Sequence, residues 1–126
     1  RTIDSFELYT STGAPCNPTY YVYESYNGLD WIERWSGIGD LTVGTGLHSS
    51  GDIGIPTGEN LFYALIAHFD VDVCRDVEFW FSDYSQPKNI SFGTFESYIA
   101  QEWMPGNEFE TFPSQYTFWG RVHSSH

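Results

Sequence analysis

The chain has 126 residues, a length that suits one domain with a single hydrophobic core. Its 17 Asp and Glu residues against five Lys and Arg give a formal net charge of −12 at pH 7, which repels nucleic acid and anionic membrane surfaces. Hydrophobic residues make up 40% of the chain and aromatic residues 19%, so the composition is that of a folded protein. We therefore expect one folded domain over residues 1–126, with no nucleic acid partner and no membrane span.

The first predicted element is a strand over residues 3–10, which alternates its side chains between two faces. Residues 11–18 follow as a loop that contains Pro15, Cys16 and Pro18. Both prolines restrict the residue before them to extended geometry, so the loop is expected to be a defined connection.

Residues 19–35 carry the clearest local pattern, two predicted strands joined at Asn27-Gly28. Aromatic and β-branched residues alternate with a period of two on both sides of this dipeptide. Asn-Gly is typical of a type I′ turn, which joins antiparallel strands through two residues of positive φ. This hairpin contains more aromatic rings than one buried face absorbs, so some rings are expected in solvent, where they favour binding.

Further along the chain, residues 41–47 and 53–55 are predicted strands. Residues 60–69 are apolar on both faces and are predicted to be a central strand covered on both sides. Helix and strand are both open for residues 92–104, and a helical stripe through Phe95 and Ile99 favours a short helix over 94–102. A last strand is predicted over 115–122, followed by a frayed tail.

The repeated period of two predicts an all-β fold, an antiparallel β-sandwich or jelly-roll-like domain with at most one short helix. The loop residue Cys16 and the later Cys74 lack metal-binding spacing, which leaves two alternatives, one long-range disulfide or two buried thiols. We expect the disulfide and a secreted glycoprotein, because Asn89 begins a glycosylation sequon and Arg1 is typical of a processed end.

Catalysis is the least favoured function, because no nucleophile or acid–base motif occurs, and no catalytic residue is predicted. A small extracellular hydrolase therefore ranks last among the candidate functions. No cofactor is expected, except that Asp70, Asp72 and Asp76 are candidate ligands of Ca²⁺, whose preferred donors are oxygen atoms. Their spacing lacks the glycine and terminal glutamate of an EF-hand, so a solvated acidic loop is the favoured interpretation.

Aromatic rings with neighbouring amides and carboxylates are typical of carbohydrate sites, where a ring stacks on a sugar and the polar groups bind hydroxyls. We predict a non-enzymatic, lectin-like module whose ligand-binding residues share the hairpin: Asn27, Asp30, Trp31, Glu33 and Trp35. The same composition suits a protein-binding toxin, inhibitor or effector, which is the alternative. The sequence leaves the glycan, the protein partner and the oligomeric state open.

The register of the second hairpin strand decides which rings are available for binding. If Ile32 points into the core, Trp31, Glu33 and Trp35 share the opposite face, because successive side chains alternate. This orientation predicts two tryptophan platforms with Glu33 between them. The competing orientation buries the two tryptophans and exposes Ile32.

Overall fold

The computed structural model describes residues 1–70, 74, 77–79, 81–82, 88–90, 93–95, 98–100, 111–113, 117–118 and 120–125. All secondary structure in these residues is β, which confirms the predicted fold class. The strands are β1 (Thr2–Thr12), β2 (Thr19–Ser25), β3 (Ile32–Ile38), β4 (Gly44–Ser49), β5 (Ile55–Pro56), β6 (Phe62–His68), β7 (Val77–Phe79), β8 (Phe81–Ser82), β9 (Lys88–Ile90), β10 (Gly93–Phe95), β11 (Tyr98–Ala100), β12 (Thr111–Pro113), β13 (Thr117–Phe118) and β14 (Gly120–Ser125).

Two antiparallel sheets form the sandwich. The first is five-stranded and is built on β1, which pairs with β14 and β7 along one edge and with β5 and β4 along the other. The second has the order β3-β2-β6, with β2 in the centre. Three more antiparallel pairs join β9 to β10, β11 to β12 and β8 to β13. The aromatic strand β2 is therefore the centre of the second sheet.

A bulge in β1 decides which of its side chains enter the core. Ile3 pairs with Ser124 and Ser5 pairs with His123, so Asp4 is an extra residue in β1. An extra residue reverses the alternation of faces. Ile3 and Phe6 consequently point to the same side, although their spacing in an unbroken strand would place them on opposite faces.

The core lies between β1 and the second sheet. Ile3 and Phe6 from the first sheet pack with Tyr20 and Val22 of β2, and each of these side chains is at most 5% exposed. The rings of Phe6 and Tyr20 meet edge to face, with centroids 5.4 Å apart and planes at 83°. Partly buried residues complete this cluster: Trp35, Ile53, Tyr63, Leu65, Ala67 and Val122.

A second, smaller cluster surrounds the disulfide between Cys16 and Cys74, whose Cα atoms lie 5.2 Å apart. This bond confirms the predicted pairing. Leu41 is 1% exposed and exchanges two backbone hydrogen bonds with Cys16. Phe69 and Val77 pack against the same cluster, so the disulfide joins the loop after β1 to the segment that leads into β7.

Two sequence-based predictions about particular elements are wrong. Residues 60–69 do not supply a central strand, because in the described part of the chain β6 pairs with β2 alone. The short helix over 94–102 is also wrong, since its described residues belong to the strands β10 and β11. The helical stripe was a coincidence of spacing in a segment rich in aromatic residues, which favour strands.

The last strand is held to β1 by charged side chains on the outer face of the first sheet. Arg121 Nη2 donates to Glu7 Oε2 at 3.0 Å, and His123 Nε2 lies 2.8 Å from Glu7 Oε1. His123 therefore lies in a paired strand, and the predicted frayed tail is wrong for residues 123–125. Burial alone would raise the pKa of Glu7, but the hydrogen bonds from His123 and Arg121 bring it below its usual value.

Glu7→Gln should destabilise the protein at neutral pH and do so less in acid. A carboxyl whose pKa is lower in the folded state stabilises it above the unfolded pKa, here 4.5. That contribution is lost as the pH falls through the folded pKa. Thermal unfolding between pH 7 and pH 3, followed by circular dichroism, should show the difference in Tm from the wild type shrinking below about pH 4.5.

The matched control is Glu59→Gln, which makes the same charge change at an exposed turn residue. A difference in Tm between Glu7→Gln and the wild type that stays constant down to pH 3 would contradict the proposed role of Glu7.

Candidate functional site

The loop between β2 and β3 is shaped by the side chain of a buried serine. Ser25 Oγ accepts hydrogen bonds from the backbone N–H groups of Asn27 and Gly28, at 3.3 and 2.9 Å. Residues 26–31 form this loop, and within it only Gly28 has a positive φ, of 77°. The predicted type I′ turn is therefore wrong, because that turn requires positive φ at Asn27 as well.

Asn27 organises the rest of the loop. Its Oδ1 accepts hydrogen bonds from the backbone N–H groups of Leu29 and Asp30, both at 2.8 Å, and from Ser25 Oγ at 3.0 Å. Its Nδ2 donates to Asp30 Oδ2 at 2.6 Å. Such local bonds are the usual role of Asn in turns. Asn27 thus fixes the exposed carboxylate of Asp30 and keeps one amide hydrogen for a ligand.

Large apolar side chains are exposed around this loop. Tyr26 is 69% exposed, Leu29 63%, Ile32 58% and Phe62 55%. Phe62 begins β6 and pairs with Ser25. Its ring lies beside the loop, 4.0 Å from the point where a Cβ atom added to Gly28 would be. We call Tyr26, Leu29, Ile32 and Phe62 the tip patch. All four lie at the end of the sheet where β2 meets the loop, with Ile32 opposite Glu24 and Phe62 opposite Ser25, on the two different faces. Exposed apolar groups at one end of a sheet make this end a candidate binding surface.

The bulge in β3 separates the two hairpin tryptophans. Val22 pairs with Trp35 while Tyr23 pairs with Glu33, so Arg34 is the extra residue and the faces are reversed beyond it. Trp35 packs against the core cluster, whereas Ile32 is exposed. The predicted arrangement, with Trp31, Glu33 and Trp35 on one outer face, is therefore wrong for Trp35. Ile32 lies on the same face as Trp35, but at the end of the sheet, beyond the core, where it is 58% exposed.

Trp35 also depends on the glycine two residues later. A Cβ atom at Gly37 would lie 2.7 Å from the six-membered ring of Trp35, too close for any other side chain. Gly37 pairs with Tyr20, so the indole lies over the glycine on the inner face of the sheet. This packing holds Trp35 in the sandwich, so that of the two hairpin tryptophans it is Trp31, half-buried at the end of the loop, that lies next to the tip patch.

Glu24 lies at the centre of a polar network next to the patch. It accepts a hydrogen bond from the Tyr63 hydroxyl at 2.6 Å and forms a salt bridge with Arg34 at 2.8 Å. The Tyr63 hydroxyl accepts in turn from the backbone N–H of Gly58. Burial and the hydrogen bond to Glu24 raise the pKa of Tyr63. Arg34 is thus committed to Glu24, and the charged group within the loop itself is the carboxylate of Asp30.

Glu33 lies on the outer face of the same sheet, apart from the loop tip. It pairs with Tyr23, whose hydroxyl donates to Glu33 Oε1 at 3.4 Å. Burial, together with the negative charge of Glu33, raises the pKa of Tyr23. The rings of Tyr21 and Tyr23 are 5.9 Å apart on this face, and Tyr23 is only 1% exposed, so the face is covered at this point. Glu33 itself is exposed, so its other carboxylate oxygen is available to a ligand.

The structure thus brings together three of the five predicted ligand-binding residues, Asn27, Asp30 and Trp31, in one loop. Glu33 lies on the outer face just beyond the loop, and Trp35 is in the core. Sequence reasoning missed Tyr26 and Phe62. Tyr26 directly precedes the Asn-Gly turn signal, which predicts exposure, but the position of Phe62 depends on pairing between distant strands.

The remaining predicted sites stay predictions. Asn89 lies in β9, and the structure describes the backbone of that strand only. Asp70 accepts a backbone hydrogen bond from Cys74, while Asp72 and Asp76 lie outside the described residues. In the described ranges, no three His, Cys, Asp or Glu residues are close enough to hold a metal ion. Those ranges also contain no helix that is long and apolar enough to cross a membrane.

Comparison of the chain with protein-family models, curated proteins and solved structures finds no match in any of the three. The functional argument therefore depends on the geometry of the hairpin loop itself.

Proposed function

We propose that the protein is a secreted, non-enzymatic carbohydrate-binding module whose site is the loop between β2 and β3. The observation that carries the proposal is an exposed tyrosine ring in the same six-residue loop as a carboxylate held in a fixed position. Tyr26 is 69% exposed, and Asp30, four residues later, is oriented by the amide of Asn27. A ring face for the apolar side of a sugar and an oriented acceptor for its hydroxyls are the two components such a site needs.

Two further residues extend this site. Trp31 contributes a second ring at the end of the loop, and Glu33 contributes an acceptor on the adjacent outer face. Because Ser25 and Asn27 fix the loop through hydrogen bonds, little conformational entropy is lost when a ligand binds. Secretion is supported by the disulfide, which persists in oxidising compartments.

Tyr26→Ala should weaken glycan binding about tenfold, the value of a stacking interaction near 1.4 kcal/mol. A glycan array identifies the ligand, and isothermal titration calorimetry with that glycan gives the Kd. The Tm should change little, because substitutions of exposed side chains alter stability by about 0.5 kcal/mol or less. Asp30→Asn keeps an oxygen for Asn27 while removing the charge, so it should weaken binding without disturbing the loop.

The matched control is Ile38→Ala, which removes a side chain that is 77% exposed at the opposite end of β3. It should bind glycan like the wild type. An array without binding, or equal losses from Tyr26→Ala and Ile38→Ala, would contradict carbohydrate binding at the loop.

A second candidate function is docking to another protein, and the aliphatic part of the tip patch favours it. Leu29 and Ile32 are both more than half exposed, and sugar stacking uses rings rather than branched aliphatic chains. Under this alternative, the double variant Leu29→Ser and Ile32→Ser abolishes binding to the partner protein. Tyr26→Ala leaves the other three residues of the tip patch intact and has a smaller effect.

A further inference from the structure

The two edges of the second sheet are unequally protected. In the described part of the chain, β3 and β6 each pair with β2 alone. The edge strand β3 contains a bulge at Arg34 and charged residues at Glu33 and Arg34, which are the usual means of preventing association between strand edges. β6 lacks both, because it contains no Asp, Glu, Lys or Arg and pairs with β2 through seven consecutive residues without a register shift.

The sequence of β6 is complementary to itself in the antiparallel direction. If two copies of the strand pair antiparallel with Leu65 opposite Leu65, an alanine lies opposite each of two larger side chains. Residues directly opposite each other in an antiparallel pair point to the same face of the sheet. The β6 residues that pack on the core in the two copies therefore all lie on one face of the joined sheet. The pairs are Leu65 with Leu65, Ala64 with Ile66, Tyr63 with Ala67, and Phe62 with His68.

We propose that β6 pairs with β6 of a second copy of this chain, which joins the two β3-β2-β6 sheets into one continuous sheet across a two-fold axis. Such an interface is isologous, because each copy contributes the same strand. The small-to-large pairing suits a second copy, since Ala64 and Ala67 lie opposite Ile66 and Tyr63 of the other copy. No charged side chain is brought opposite another in this register.

The dimer is weak and depends on salt. A pairing of this length forms about six to eight backbone hydrogen bonds, in an area below that of a standard interface. Each copy carries a formal charge of −12, so the copies repel one another at long range. Because salt screens this repulsion, sedimentation equilibrium should show a larger dimer fraction at 300 mM NaCl than at 20 mM.

A mixed cysteine experiment tests the register directly. Phe62→Cys and His68→Cys are prepared separately; both positions are exposed, and the native disulfide is buried. In the proposed register, Cα atoms of opposite residues lie about 4.5 to 5.5 Å apart, within disulfide range. Under mild oxidation the mixture should form a covalent heterodimer in several-fold excess over either variant alone, since like positions lie about 20 Å apart.

Charge substitutions provide an independent test. Ala64→Lys places a long cation opposite Ile66 of the second copy and should return the protein to monomer. Val43→Lys makes the same change in net charge at a residue that is 60% exposed outside β6, and it should leave the dimer intact. Cross-linking as efficient in each single variant as in the mixture would overturn the proposal, and so would a monomer at every concentration and salt level. A dimer that Ala64→Lys leaves intact would also overturn it.

Discussion

Replacing Phe6 with alanine should lower the free energy of unfolding by about 3–5 kcal/mol, as for other aromatic side chains removed from a core. Phe6 is 4% exposed and is the ring through which the first sheet contacts Tyr20 of the second. Its removal leaves a cavity between the sheets, and the loss of stability grows with the volume of that cavity. Urea unfolding followed by tryptophan fluorescence measures the loss, and the m-value should be unchanged.

Two further variants make the Phe6 result interpretable. Phe6→Leu retains most of the apolar volume and should cost about 1 kcal/mol, so it provides a measurement if the alanine variant does not fold. Ile38→Ala, at an exposed residue, should cost less than about 0.5 kcal/mol. A loss below about 1 kcal/mol for Phe6→Ala would show that Phe6 and Tyr20 do not join the sheets.

Removing the disulfide should lower the free energy of unfolding by about 4 kcal/mol, because a cross-link reduces the conformational entropy of the unfolded chain. Cys16 and Cys74 are separated by 58 residues, so the unfolded chain gains a long closed loop when they are bonded. The double variant Cys16→Ala with Cys74→Ala should show this loss in urea unfolding. Both residues are buried, and alanine in their place preserves most of the contact with Leu41.

Reduction of the wild-type protein is the control for that variant. The reduced protein should approach the stability of the double-alanine variant, because the cross-link is the main difference between them. If the double variant and the wild type unfold at the same urea concentration, the disulfide does not restrict the unfolded chain as proposed.

The class of fold and the position of the hairpin were predictable from the sequence. Two bulges, however, determine which side chains of β1 and β3 face the core. Alternation predicts strands reliably because aromatic and β-branched residues favour extended backbone. It does not show where an extra residue occurs, and Asp4 and Arg34 are both such residues. Each reverses the alternation, so Phe6 joins Ile3 in the core, and Trp35 lies on the face opposite Glu33 and packs against the core cluster.

The loop illustrates the same limit for the candidate site. Asn-Gly correctly indicates a turn, but the conformation is set by the hydroxyl of Ser25, which bonds two backbone N–H groups. A type I′ turn would have brought the strands together at once, whereas the observed loop contains Tyr26, Leu29 and Asp30 as exposed side chains. Local propensity predicted where the chain turns, and a side chain within β2 decided how.

The pairing of β1 with β14 has a consequence for the rate of folding. Thr2 pairs with Ser125, and Phe6 pairs with Val122, so the strand that supports the first sheet makes contacts across almost the whole chain. Proteins dominated by pairings between residues distant in sequence fold in milliseconds to seconds rather than microseconds, because closing a long loop costs entropy before any contact compensates for it. During synthesis, the part of β1 from Thr2 to Leu8 therefore lacks this partner until residues 120–125 have been made. Once formed, the disulfide between Cys16 and Cys74 shortens the stretch of chain between β1 and β14, so closing that loop costs less entropy.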